Sequence, residues 1–155
     1  MKILDFLNSK AISADLKATD KKEVIKELLD LLYKAGAIKG NKEEVFNALL
    51  EREALGSTGI GQNVGIPHAK TPHAKQLIAA FGISKEGVNF ESLDGEPAHI
   101  FFLLLAPEGS AGPHLKALAR ISRLLKDKYF RDSLMAAPDS KGILKIIQRE
   151  DHLKH

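Results

Sequence analysis

The chain has 155 residues, 44% hydrophobic and 28% charged, the profile of a globular domain long enough to bury a core without cross-links. Its 23 basic and 20 acidic side chains leave a net charge of +3, and the basic ones are dispersed instead of clustered as a nucleic-acid footprint requires. The absence of cysteine excludes disulfides, thiolate metal sites and a cysteine nucleophile.

The opening "MKILDFLNSK" has no apolar stretch of signal-peptide length. No segment approaches the roughly 20 apolar residues that span a bilayer. A cytoplasmic protein with no direct membrane insertion is therefore expected. Asp20 followed by Glu23 forms a capping box, and Val24, Ile25, Leu28, Leu29, Leu31 and Leu32 keep helical spacing as far as Gly36. Asn41 with Glu44 opens a second helix that carries Val45, Phe46, Leu49 and Leu50 on one side and ends near Gly56.

The middle of the chain changes character. "GSTGIGQNVGIPH" interleaves glycine with Thr58, Ile60, Val64 and Ile66, which predicts two short strands joined by a turn at Gly61–Asn63. "LIAAFGI" (77–83) is a further strand, and "GVNF" (87–90) leads into a turn at "LDGEP". "AHIFFLLLA" (98–106) is apolar throughout, as expected of a central strand covered on both faces. The segment 113–126 reads as a helix with Leu115, Leu118, Ser122 and Leu125 on one stripe. Two shorter helices follow, at 127–136 and from Asp139 onward, and 150–155 reads as a frayed tail. Helices on both sides of an apolar strand set give an α/β fold, a mixed-sheet sandwich in a single domain over 1–155.

The most unusual stretch is "GIPHAKTPHAK" (65–75), which holds His68 and His73 in near-duplicate settings. Metal-binding pairs on a helix sit four apart, whereas these are five apart, and Pro72 forbids a helix interior. On a strand an odd separation sends the two rings to opposite faces, so joint metal ligation is not expected. His68 follows a glycine-rich strand-turn-strand that lets backbone come close to a ligand. His73, His99, His152 and His155 read as structural or solvent-facing. His114 follows "GSAGP", with Pro113 placed at the first helical position, so it falls in a first turn that favours anions; the residues alone leave open a helix-start histidine facing water. Arg52, at the end of the second helix, suits bidentate grip of phosphate oxygens, or is an ordinary arginine favoured by a helix C-terminus.

"EREALGSTGIGQNVGIPHAK" (51–70) followed by "GPHLKALARISRLLK" (112–126) resembles the fructose/mannitol/nitrogen-type enzyme IIA domain of the bacterial phosphoenolpyruvate-dependent phosphotransferase system. The likeness covers essentially the whole chain and is most specific from Glu53 through Ile60, Gly61, Val64, Ile66, Pro67 and His68 to Ala69. Family members usually have alanine where this chain has Gly65.

The resemblance implies that His68 is the phosphoryl acceptor, that His114 is the second, phosphate-stabilising histidine, and that Arg52 clamps the phosphate. It implies the phosphocarrier protein HPr as donor, and as acceptor an enzyme IIB component of the fructose/mannitol class. In nitrogen-type members the phosphorylation state controls a regulatory target protein instead. No cofactor and no metal are implied. An exposed apolar rim is expected around the site, with Leu55, Ile60 and Leu115 as candidates. From a different class, a metal-dependent hydrolase using His68 and His114 would need a nearby carboxylate in ligand spacing, which the sequence does not offer.

Overall fold

The computed structural model describes residues 1–154. They form a six-stranded mixed sheet with helices on both faces. In chain order, a short 3-10 turn (Ile3–Asp5) leads into β1 (Leu7–Ser13), α1 (Lys21–Lys34) and α2 (Lys42–Ala54). Next come β2 (Gly59–Gly61), β3 (Val64–Gly65), β4 (His68–Lys70), β5 (Ile78–Val88) and β6 (Ala98–Ala106). The chain finishes with α3 (Ala111–Leu124), α4 (Lys128–Ala136) and α5 (Ser140–Leu153). The sheet runs β1-β5-β6-β3-β2, with β4 also paired to β6. No helix among the described residues is long and apolar enough to cross a membrane.

Side-chain alternation explains why β6 is apolar from Ile100 to Ala106. In β6, Ile100, Phe102 and Leu104 point into one core with Ala117 and Ile121 of α3, Phe130 of α4 and Ile143 of α5. Phe101, Leu103 and Leu105 point into the other, against Leu28 and Leu32 of α1 and Val45 and Leu49 of α2. Over that stretch both faces are buried, so a polar side chain without a hydrogen-bond partner would be costly. Both helices predicted from caps start as read, since Asp20 accepts from the Glu23 N–H at 2.8 Å and Asn41 from the Glu44 N–H at 3.1 Å.

Several expectations are corrected. β1 was not anticipated: "LNSKAIS" is half polar, and its pairing with β5 jumps from Leu7↔Ala79 to Ile12↔Phe81, so a bulge breaks the two-residue period. The strand expected at 77–83 and the segment 87–90 merge into one β5, which bends across an irregularity between Ile83 and Val88. α3 begins two residues earlier than read, at Ala111, and puts Pro113 third. That position is tolerated because its N–H would have had no intrahelical partner. The buried stripe of α3 is Ala117, Ile121 and Leu124, while Leu115 is exposed.

The end of the chain is tied down where fraying was expected. α5 continues to Leu153, and the buried Asp151 carboxylate accepts the N–H groups of Ile3 at 3.0 Å and Leu4 at 2.9 Å. Arg120 donates to the same carboxylate at 2.9 Å. His155 lies outside the described residues.

Candidate active site

β3 and β4 are one segment running alongside β6, interrupted at Ile66-Pro67. Val64 pairs with Ile100 and His68 with Leu104, the same offset on both sides of the interruption. Pro67 has no N–H to give the ladder, but its carbonyl accepts from Leu104 at 2.9 Å. Leu104 belongs to the α3–α5 face, so its parallel partner His68 projects toward α3. Ahead of it, β2 and β3 turn through Gln62 and Asn63, both at left-handed φ (56° and 67°), as the glycine-rich reading expected.

The half-buried His68 ring makes one internal hydrogen bond, from Nδ1 to the Ile66 carbonyl oxygen at 2.6 Å. A carbonyl only accepts, so Nδ1 carries the hydrogen and Nε2 keeps the lone pair. His114 stands edge-on to it, ring centroids 5.4 Å apart and planes at 82°. His114 is buried, its backbone N–H is already bonded to Ser110 at 3.1 Å, and its Nε2 has no hydrogen-bond partner. The group available to an incoming anion is therefore the ring, joined by the N–H groups of Ala111 and Gly112 that head the helix.

Burial is the main force on both rings. It lowers the His68 pKa below 6.5, and the Arg52 charge pushes the same way, while the bond to Ile66 and the Glu53 carboxylate oppose them. His114 is held down to about 4 by burial, with smaller contributions from His68 and Lys70. Both rings are thus neutral near pH 7.

Arg52 lies in the last turn of α2 and donates from Nη1 to the Gly56 carbonyl at 2.9 Å, which fixes its guanidinium at the helix end. His68, His114 and Arg52 line one open cleft of about 620 Å³, with Leu55 and Leu115 at its edge. These two leucines are 85% and 67% exposed, which makes the expected apolar rim real at both. Ile60 instead borders a separate hollow with Leu93. A slightly larger groove of about 690 Å³ between α1 and α2 holds no histidine.

The other histidines are placed elsewhere. His73 pairs through Nε2 with Glu44 of α2 at 2.6 Å and packs against Gly40. His99 bonds the Ser84 carbonyl at 2.8 Å, and His152 is exposed on α5. Among the described residues no group of three or more His, Cys, Asp or Glu is placed to hold a metal.

The sequence reading gave no role to Glu53, which the fold buries beside the site. Its carboxylate accepts the Thr58 N–H at 3.2 Å and the Thr58 hydroxyl, and it pairs with Lys21 at 2.8 Å. This ties the end of α2 to the strand that leads into His68. The available signal was helical spacing, because Val45, Leu49 and Glu53 fall four apart on the buried side of α2.

Comparison with known proteins points to one family. Residues 5–150 match the family model for the phosphoenolpyruvate-dependent sugar phosphotransferase system, EIIA 2. The nitrogen regulatory protein of Bradyrhizobium diazoefficiens is 42% identical over 95% of both chains. The fructose-specific EIIABC component of Bacillus subtilis is 41% identical over 97% of this chain, which spans 24% of that longer protein. Among solved structures, nitrogen regulatory protein IIA-Ntr from Neisseria meningitidis superposes with TM-score 0.84 and 34% identity, covering 92% of this chain and 97% of that one. The complex of enzyme IIA-mannitol with phosphorylated enzyme IIB-mannitol from Escherichia coli matches in fold, with TM-score 0.75 and 23% identity over 92% of this chain and 96% of that one.

Proposed function

The chain belongs to the EIIA 2 family of the phosphoenolpyruvate-dependent sugar phosphotransferase system, and from that premise we propose that it accepts a phosphoryl group from phosphorylated HPr on His68 and passes it to an enzyme IIB component. Members of this family carry phosphoryl groups. The observation that carries the assignment to His68 is its tautomer: Nδ1–H is engaged by the Ile66 carbonyl, which leaves Nε2 as an unprotonated nucleophile in an open cleft.

In the forward step the Nε2 lone pair attacks phosphorus as the bond to the donor imidazole breaks, and the donor ring keeps that electron pair. Positive charge developing on the His68 ring is stabilised by the Ile66 carbonyl dipole. Phosphoryl transfer has a loose transition state, so the protein contributes alignment and charge. Arg52 supplies a permanent cation, the neutral His114 ring an N–H donor, and the start of α3 two backbone N–H groups. A shallow site with Leu55 and Leu115 exposed at its edge suits two partner proteins that reach the same ring in turn. An IIB partner is supported by the IIA–IIB mannitol complex that shares this fold.

A second reading has its own support. The nitrogen regulatory protein of Bradyrhizobium diazoefficiens matches over 95% of both chains, and under that reading the same phosphoryl state of His68 controls a target protein instead of serving sugar uptake.

Incubation with phosphoenolpyruvate, enzyme I and HPr should give an acid-labile, alkali-stable phosphate on the wild type and none on His68→Ala. Undiminished label on His68→Ala would remove His68 from this role. His114→Ala should slow transfer, whereas His73→Ala should leave it unchanged because that ring is paired with Glu44.

A further inference from the structure

Lys70, the last residue of β4, has no part in the reading so far, yet the fold sets it beside the acceptor ring. Side chains alternate across a strand, so positions 68 and 70 project to the same face. Lys70 lines the cleft together with His68, Arg52 and His114. It is exposed and has no ion pair or side-chain hydrogen bond among the described residues. Its charge nevertheless reaches the site, since it is felt at the His114 ring.

Charge counting shows what this free ammonium is for. A phosphoryl group brings close to two negative charges at pH 7. Of the charged groups lining the cleft, Glu51 offsets Arg52, and both histidines are neutral. Without Lys70 the cleft would offer no net positive charge. Arg52 also commits one N–H to Gly56, while a lysine on a flexible four-carbon stem can follow the group as it arrives and leaves.

We propose that Lys70 is the second cation of this site, unpaired while His68 is empty and drawn onto the phosphoryl oxygens once His68 carries the group. The proposal rests on His68 being the acceptor. Lys70 then sets how much of the phosphoryl pool this protein holds against its donor.

The test compares wild type, Lys70→Gln and Lys70→Arg at equilibrium with phosphorylated HPr, with the label mapped by residue. Lys70→Gln should shift the equilibrium toward HPr by roughly tenfold or more, the range of a lost charge-assisted contact. Lys70→Arg should recover most of it. In the unphosphorylated protein, the His114 titration followed by NMR should move up in Lys70→Gln, which a lysine pointing away from the site would not cause. Wild type labelled on His68 with Lys70→Gln unaffected overturns the role of Lys70 alone, as does an unmoved His114 titration or failure of Lys70→Arg to rescue. Wild type unlabelled, or labelled on another residue, overturns the acceptor assignment and the role of Lys70 with it.

Discussion

His68 donates its Nδ1–H to the carbonyl oxygen of Ile66, two residues earlier, at 2.6 Å. The bond selects one ring nitrogen for chemistry, since a protonated nitrogen has no lone pair to offer phosphorus. The phosphoryl group is therefore expected on Nε2. Nitrogen-15 NMR of the phosphorylated protein distinguishes the two isomers, and a phosphoryl group on Nδ1 would contradict this geometry.

The buried rings also predict how the protein responds to acid. A histidine whose folded pKa lies below its unfolded value is protonated more readily in the unfolded chain, so stability rises with pH across that interval. For His114 the interval runs from 6.5 down to about 4, and the shift at His68 has the same sign. Stability should be intact above pH 7 and fall on acidification through this window, by up to about 1.4 kcal/mol per pH unit from His114 at the steepest point. Urea unfolding at pH 7, 6 and 5 measures the slope. His114→Gln should flatten it, and an unchanged slope would mean that the ring is charged in the folded state.

Gly65 is closely packed, and the space that a methyl would occupy there is already filled. A Cβ built at Gly65 would lie 2.9 Å from the Phe101 ring and 3.3 Å from that of Phe90, two rings already packed edge to face at 5.3 Å. Gly65→Ala should therefore cost about 1–3 kcal/mol through overpacking. Denaturant unfolding checks the loss, and Phe101→Leu in the same chain should recover part of it.

Asp151 joins the two ends of the chain. Its buried carboxylate holds the N–H groups of Ile3 and Leu4 and the guanidinium of Arg120. Asp151→Ala leaves two backbone donors and a buried cation without their acceptor, which should cost about 3–5 kcal/mol. Amide exchange should quicken at Ile3 and Leu4 beyond the global change. A wild-type denaturation curve for the variant would refute the role.

Much of the fold was legible because its signals are local. Asp20 and Asn41 cap helices through N–H groups three residues away, and the Gln62–Asn63 turn closes within the glycine-rich segment. β6 was legible because burial on both faces from Ile100 to Ala106 favours an unbroken apolar run there. β1 was not: its bulge destroys the period, and its place comes from backbone pairing with β5. The buried stripe of α3 was misread because Leu115 and Leu118 share the apolar character of Ile121 and Leu124. Only the position of the sheet tells which side faces inward.

The same division runs through the site. The sequence by itself determined the residue types: a histidine after a glycine-rich hairpin, a histidine at a helix start and an arginine at a helix end. Only the tertiary structure decided that His68 and His114, 46 positions apart (114 minus 68), meet at 5.4 Å, that His73 turns away to Glu44, and that Glu53 and Lys70 belong beside them. The physical reason is range. Caps and turns are settled by hydrogen bonds a few residues long, whereas burial, ring-to-ring contact and the fields that move a pKa arise only when helices and sheet close on one another.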